Sequence, residues 1–355
     1  MNVDTIIVGQ GIGGTLISWE LHKRGISHVV VDNHHFQSAS KIAAGVINPI
    51  TGRKYVKSWR IEQFLPIAKN TYVELANHLK IVTHNDHLIY RGLYSIEDEN
   101  TWESRKSDPV AGQYISNVTN DTVYEKAING VMAYGVLVGG MQVKLDKITE
   151  AYRSFLKEKN MLVNEKFECD HLQNLDSKVK YRDIHANRVI FAEGYHAQNN
   201  PYWSYLPFEP AKGDVLIIKL KGEVFEHILR HKVFITPIGD DLYWVGSDYR
   251  WKFDDDRPSA EKRVEMVAVL DKILNVPYEI VEHKAGIRPC VKSRRPFLGR
   301  HPMFDKLVLF NGLGTKGASL GPFWARHLID HLENNTPLDG DVDIQRFDGK
   351  FDYTG

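Results

Sequence analysis

The first 32 residues predict an α/β fold that begins with a Rossmann-like nucleotide-binding unit. Residues 5–8 are apolar and β-branched, as expected of a buried strand, and residues 28–31 form a second such run that ends at Asp32. Between the two runs lie three glycines in the spacing G-x-G-x-x-G, namely Gly9, Gly11 and Gly14. A strand, a glycine turn, a helix and a second strand in this order are typical of dinucleotide binding.

The residue types in this unit match the chemistry of a bound dinucleotide. Gly9 permits the tight turn, Gly11 lets the backbone approach a pyrophosphate, and Gly14 lets the helix pack on the strand. Asp32 lies near the spacing at which an acidic residue accepts hydrogen bonds from a ribose. Its charge would repel a ribose phosphate, which disfavours NADP. This unit alone leaves both NAD and FAD open.

Composition excludes several classes of protein. The 355 residues include 45 Lys and Arg and 45 Asp and Glu, and this zero balance argues against a protein that mainly coats nucleic acid or an anionic membrane. The two cysteines are too few for a disulfide framework. No apolar run approaches the roughly 18 residues of a membrane span, and the amino terminus lacks the basic region of a signal peptide. We therefore expect a soluble, cytoplasmic protein with no metal site.

The rest of the chain alternates helical and strand patterns. An amphipathic pattern covers residues 61–79, and a second helical face follows Gly139 and Gly140. Residues 188–191 form another buried strand that ends in Ala192, Glu193 and Gly194. Strand-rich runs fill residues 214–247, with a predicted hairpin at 239–241. The chain then shows a helix capped by Ser259 and a final sequence of strand, glycine loop and helix.

Five blocks of sequence resemble the FAD-dependent oxidoreductases of the D-amino acid oxidase and glycine oxidase (DAO) family. They occur in the family's order over nearly the whole chain. The blocks are the amino-terminal glycine unit; Ala43, Ala44, Gly45 and Pro49; Ala192, Glu193 and Gly194; residues 285–289 with 296–299; and Gly312, Leu313, Gly314, Gly317, Gly321 and Pro322.

The resemblance implies a two-domain architecture with FAD rather than NAD as the ligand. A GR2-type, Rossmann-like FAD-binding domain would be assembled from residues 1–60, 140–210 and 285–355. A discontinuous α+β substrate domain, built on an antiparallel sheet, would comprise residues 61–139 and 211–284.

The resemblance also implies which residues hold a non-covalent FAD. Small residues at 38–49 would let the backbone lie against a flat ligand, and the loop 312–317 would point N–H groups at the negative charge of a reduced flavin. The predicted cofactor residues are Gly9, Gly11, Gly13, Gly14, Asp32, Asn33, Ser40, Ala43, Ala44, Gly45, Phe167, Ala192, Gly194, Arg288, Gly312, Leu313, Gly314, Thr315, Lys316 and Gly317.

Arg288 is the leading candidate for substrate binding. In the enzymes that this chain resembles, the arginine of Gly-x-Arg-Pro holds the substrate carboxylate above the flavin, and a guanidinium fork suits a carboxylate. A structural ion pair is the alternative. Asn48 and Arg53 could border the flavin or lie in surface loops. Arg53 also belongs to a basic cluster that ends at Arg60, whose possible roles are a solvated loop or contact with an anionic partner such as tRNA.

The sequence departs from the family pattern at two positions. Phe234 stands where several amino acid oxidases carry a tyrosine that helps to hold the carboxylate. Trp244 stands in the place of the lysine with which sarcosine oxidases activate oxygen. Either O₂ or another carrier could therefore accept the electrons. Cys290 is offset from the position of covalent flavin attachment, which favours a non-covalent cofactor.

The predicted activity is oxidation of the C–N bond of a small amine or amino acid that carries a carboxylate, by hydride transfer to flavin N5. The alternatives are a 2-hydroxy acid dehydrogenase that uses FAD, an oxidase of a tRNA wobble-uridine side chain, and a flavin-binding protein without turnover. An NAD-dependent dehydrogenase, which would be colourless after purification, is a further possibility.

Overall fold

A computed structural model describes residues 1–35, 37–120, 122–221 and 225–350 of the chain. The last five residues of the predicted FAD-binding segment 285–355 lie outside the described part. So do residues 222–224 of the predicted substrate domain.

The described residues form helices and strands with the following bounds. The helices are α1 Ile12–Lys23, α2 Ala39–Ile42, α3 Ile61–Leu79, α4 Ile96–Lys106, α5 Thr122–Ala127, α6 Leu145–Glu158, α7 Ala260–Ile273 and α8 Gly317–Asn334. The strands are β1 Asn2–Val8, β2 His28–Val31, β3 Val46–Ile47, β4 Ile50–Thr51, β5 Val56–Lys57, β6 His84–Asn85, β7 Ile89–Leu93, β8 Ile115–Thr119, β9 Ala133–Leu137, β10 Met141–Val143, β11 Leu162–Val163, β12 Leu172–Asn174, β13 Val179–Tyr181, β14 Ile184–Phe191, β15 Ala211–Leu220, β16 Ile228–Arg230, β17 Phe234–Gly239, β18 Leu242–Gly246, β19 Tyr278–Arg288, β20 Phe297–Arg300 and β21 Leu307–Asn311.

The first sheet has a parallel centre in the order β11-β2-β1-β14-β21. Thr5 of β1 pairs with His28 of β2 on one side and with Arg188 of β14 on the other. Strands β12, β13 and β20 extend this sheet with antiparallel pairing. The carboxyl-terminal parts of its central strands, residues 6–8 of β1 and 189–191 of β14, are apolar and buried because both faces of the sheet are covered there.

Successive residues of β1 enter two different cores, as strand geometry requires. Ile7 packs into the core formed with helices α1, α3, α6 and α8. Ile6 and Val8 point to the opposite face and join a second core with Trp203 and Ile344. The predicted Rossmann-like arrangement is therefore confirmed, with helices covering one face of the parallel strands.

The second large sheet has the order β19-β15-β18-β17-β16-β7-β9-β8. Its pairings are antiparallel except that of β16 with β7. Strands from two separate stretches of the chain, 89–137 and 211–288, are joined in it. The predicted fold class, a Rossmann-like unit beside an antiparallel sheet, is confirmed.

Helix α3 follows its predicted amphipathic pattern and packs against α8. The Tyr72 hydroxyl donates to the carbonyl of Ala318 at 2.8 Å, and the rings of Phe64 and Trp324 lie 5.7 Å apart. The sequence places α3 in the substrate domain, whereas its packing partner comes from the segment assigned to the FAD-binding domain. The exact division into domains stays a prediction. Within the described residues, no helix has the length and apolar character needed to cross a bilayer.

Candidate active site

A cavity of about 930 Å³ lies at the carboxyl ends of the parallel strands. Strands β1, β2 and β14 end directly before the lining residues Gly9, Asp32 and Ala192. The second sheet supplies the opposite wall, including Phe234 and Arg288. Ligands of open α/β sheets bind at this edge, because the loops that follow the strands converge there.

The glycines after β1 allow a tight turn into the start of α1. Gly9 has φ +95°, and a Cβ on it would lie 2.7 Å from the carbonyl oxygen of Ala192. A Cβ on Gly14 would lie 1.8 Å from the carbonyl oxygen of Gly9. Gly11 precedes α1 and gives it no side-chain cap. The N–H of Ile12, in the first turn, donates to Ser40 Oγ at 2.9 Å, and the following N–H groups of that turn suit a pyrophosphate.

Asp32 is held in place by three hydrogen bonds. One carboxylate oxygen accepts from Gln10 N at 2.9 Å, and the other accepts from His34 N at 2.7 Å and from the Arg153 guanidinium at 2.6 Å. The Arg153 side chain is only 3% exposed. A carboxylate can accept about four hydrogen bonds, so Asp32 retains one acceptor position for a ribose hydroxyl.

The loop after β14 places an unusual carboxyl group in the same cavity. Burial raises the pKa of Glu193 to about 7, although its Oε2 accepts a hydrogen bond from the Asn200 amide at 2.8 Å. Cys169 also lines the cavity, and burial raises the pKa of its thiol to about 11, so the thiol stays protonated at neutral pH. Phe167 stacks on Tyr181 with 4.3 Å between ring centres and presents an apolar surface.

The loop 312–317 closes the opposite end of the cavity. The N–H of Gly314 donates to the carbonyl of Pro289 at 3.1 Å, which ties this loop to the residue after Arg288. Helix α8 starts at Gly317, and Lys316 before it gives no side-chain cap. Burial, with the nearby charges of Arg295 and Arg294, lowers the pKa of Lys316. The helix terminus and this ammonium group make the region favourable for negative charge.

Arg288 projects from the end of β19 into the cavity. Its guanidinium donates to Ser247 Oγ and, at 3.1 Å, to the carbonyl of Asp248, and it stacks over the Tyr249 ring at 4.4 Å. Gly213 makes room for it, because a Cβ there would lie 2.1 Å from Nη2. Among the described residues no carboxylate lies within 4 Å of this guanidinium, so its charge is available to a ligand.

The two positions that depart from the family pattern both line the cavity. Trp244 Nε1 donates to the carbonyl of Ile42 at 2.7 Å, and this hydrogen bond connects the indole to the end of α2. The guanidinium of Arg230 lies over the ring of Phe234, 4.8 Å from the ring centre. Burial raises the pKa of the Cys290 thiol to about 11, which disfavours the thiolate.

Most of the predicted site residues come together in this cavity. Those that line it are Gly9, Gly11, Gly13, Asp32, Asn33, Ser40, Ala43, Ala44, Gly45, Asn48, Phe167, Ala192, Gly194, Arg288, Leu313, Gly314, Thr315, Lys316 and Gly317. Gly14 and Gly312 lie behind the lining and allow close backbone packing. Arg53 is exposed in the hairpin between β4 and β5 and is not among the lining residues.

Several residues of the site have no local sequence signal. Arg153 reaches Asp32 across 121 positions of the chain. Arg230, Ser247 and Tyr249 reach the cavity from strands of the second sheet or the loop after them. Only the periodicity of those strands pointed to this wall, and it did not identify the side chains that face the ligand.

The lining fits an extended dinucleotide that carries a flat ring. One end offers a helix terminus for phosphates and an acid for a ribose, and the other offers small residues, a second helix terminus and Lys316. Gly45, whose φ is +70°, lets the small-residue segment pack against β10, because a Cβ on it would lie 1.8 Å from the carbonyl oxygen of Val143. These features match the adenosine, pyrophosphate and isoalloxazine parts of FAD.

Comparisons with known proteins agree with this geometry. The chain is 23% identical to a glycine oxidase of Pseudomonas aeruginosa, over 95% of this chain and 97% of that protein. The structure of glycine oxidase from Bacillus cereus superposes with a TM-score of 0.80 at 17% identity, covering 94% of this chain and 96% of that one. Iminodiacetate oxidase from Chelativorans sp. superposes with a TM-score of 0.75 at 20% identity, covering 97% and 98%. The model of the DAO family, FAD dependent oxidoreductase, matches residues 4–331, and the chain therefore belongs to this family of FAD-dependent enzymes.

Proposed function

We propose that this enzyme oxidises the C–N bond of a small amine or amino acid that carries a carboxylate, with non-covalently bound FAD as the electron acceptor. The observation that carries the proposal is the guanidinium of Arg288, which faces the cavity with no carboxylate partner among the described residues. The names of the relatives, glycine oxidase and iminodiacetate oxidase, support the same class of substrate.

Arg288 would bind and orient the substrate. Two of its contacts, with Ser247 and the Asp248 carbonyl, fix the plane of the guanidinium, and Tyr249 supports one face. A fixed fork can bind both oxygens of a carboxylate and so hold the adjacent C–N bond in one orientation. Bound FAD supplies the acceptor of two electrons. Apolar side chains at Phe234 and Trp244 line the same cavity and would exclude water from the reacting carbon.

Lys316 and the start of α8 would hold the other end of the cofactor. Their positive charge lies beside the glycine loop, about where the resemblance places the ring of FAD. A cation and an open helix terminus stabilise negative charge more strongly in a desolvated site than in water.

An anaerobic absorbance titration of the FAD-loaded enzyme tests the proposal. N-methylglycine and glycine should bleach the visible flavin band, whereas methylamine, which lacks the carboxylate, should not. Bleaching by 2-hydroxy acids alone would establish the hydroxy acid dehydrogenase instead. No bleaching across amines, hydroxy acids and wobble-uridine nucleosides would favour a flavin-binding protein without turnover.

Readmission of air after bleaching identifies the electron acceptor. Trp244 supplies no positive charge beside the cavity wall. We therefore expect O₂ to restore the flavin band more slowly than an artificial acceptor such as a quinone. Faster recovery in O₂ than with the quinone would identify the enzyme as an oxidase.

A further inference from the structure

A second guanidinium, that of Arg230, lines the same cavity. It lies over the ring of Phe234 at 4.8 Å and donates one hydrogen bond to the carbonyl of His231. A guanidinium has five N–H donors. Stacking on an aromatic ring leaves its edge free to bind an anion.

The second sheet brings Arg230 and Arg288 to the same cavity. Gly246 of β18 pairs with Phe234 of β17, and Phe234 pairs with Arg230 of β16, so these three residues share a face. Arg288 contacts Ser247 at the end of β18, and Tyr249, on which Arg288 stacks, also interacts electrostatically with Arg230.

The positive charge of this wall is not balanced by nearby acids. Arg230 pairs in register with Arg91 of β7. Like charges in neighbouring positions of a sheet destabilise it. In the part of the chain that the structure describes, no carboxylate lies within 4 Å of either guanidinium. Burial and the charge of Arg91 lower the pKa of Arg230, as expected of a cation whose counter-charge is missing.

We propose that Arg230 forms a second anion subsite and that the substrate is a dicarboxylic amine, with one carboxylate at Arg288 and the other at Arg230. The identity of the reacting amine depends on the proposed function, whereas the anion subsite does not. One short dicarboxylate could contact both guanidiniums, because both line the same cavity and both interact with Tyr249.

Binding of unreactive acids to the FAD-loaded enzyme tests the subsite without turnover. Succinate and butyrate have the same carbon chain, and only succinate has a second carboxylate. We expect succinate to bind about tenfold more tightly or better, measured by calorimetry or by perturbation of the flavin spectrum. Equal affinities of the unmodified enzyme for the two acids would overturn the proposal, and this comparison needs no variant.

Two variants test whether Arg230 causes the preference for succinate over butyrate. Arg230→Gln should abolish the preference for succinate and leave the affinity for butyrate within about twofold of the original. Lys219→Gln is the matched control, because it removes one positive charge from an exposed residue of β15 that is not among the residues lining the cavity. It should keep the preference. Retention of the preference in Arg230→Gln, or an equal loss in both variants, would contradict a specific subsite.

These experiments distinguish a failure of the second subsite from a failure of the proposed function. If no amine bleaches the flavin but succinate still binds through Arg230, only the assigned reaction fails. If amines bleach the flavin but succinate shows no preference, only the second subsite fails. A kinetic comparison follows from the proposal: kcat/KM for iminodiacetate should fall about tenfold or more in Arg230→Gln, while kcat/KM for N-methylglycine should change little.

Discussion

Replacing Gly213 by alanine would displace the guanidinium of Arg288 without removing its charge. The added Cβ would lie 2.1 Å from Nη2 and 2.7 Å from both Cζ and Nη1 of Arg288. These atoms are at the end of a flexible side chain, so the side chain rather than the sheet should move. Gly213 does not have the left-handed backbone that would strain an alanine. The variant should therefore fold and bind FAD normally.

The expected loss follows from the contacts that the displaced side chain would break. A hydrogen bond to a charged group contributes about 1.5–3 kcal/mol. Loss of one such bond to the substrate carboxylate corresponds to about a 10- to 150-fold decrease in kcat/KM. Arg288→Met removes the charge as well and should cost about 2–5 kcal/mol.

Steady-state kinetics with the best carboxylate-bearing amine found in the absorbance screen provide the assay. Gly340→Ala is the control, because an added Cβ there would meet no atom within 4 Å. Flavin content and melting temperature should be the same in both variants. If kcat/KM is unchanged in Gly213→Ala, Arg288 does not hold the substrate in the way we describe.

Three further predictions concern the nucleotide end of the cavity. Arg153→Met leaves the carboxylate of Asp32 without its cation, so the free energy of unfolding in urea should fall by about 3–5 kcal/mol, and an unchanged value would refute this pairing. Gly14→Ala forces a Cβ to within 1.8 Å of the carbonyl oxygen of Gly9, so the purified protein should carry much less FAD; full flavin content would contradict the turn geometry. The pKa of Glu193 is raised from about 4.5 to about 7, so the folded state retains a proton that the unfolded state loses. The contribution of Glu193 to stability should be fully present below about pH 4.5 and fall by about 1–3 kcal/mol as the pH rises to 7 and above, and Glu193→Gln should remove this part of the pH dependence.

The parts of the fold that depend on neighbouring residues could be predicted from the sequence. The apolar run before Gly9 and the glycine spacing after it define β1, the turn and the start of α1 because each acts within a few residues. The predicted hairpin at 239–241 is also confirmed, since Gly239 pairs with Leu242. Ser259 caps α7 as predicted by accepting from Lys262 N at 3.4 Å.

The parts that depend on distant pairings could not be predicted in this way. Nothing near Asp32 indicates that Arg153 will bind it, because the two meet only when α6 packs beside the first sheet. Arg230 is followed by a histidine and a lysine and has no motif, and only the register of β16 against β17 brings it to the cavity. For Arg53 the sequence left a role beside the flavin and a surface-loop role open, and its side chain is exposed in the hairpin between β4 and β5.

A crystal structure of the enzyme with FAD and butyrate tests the central claim most directly. We expect both oxygens of the butyrate carboxylate within about 3 Å of the Arg288 guanidinium, with the alkyl chain over the flavin ring. A carboxylate bound elsewhere, with Arg288 directed away from the ring, would contradict the account.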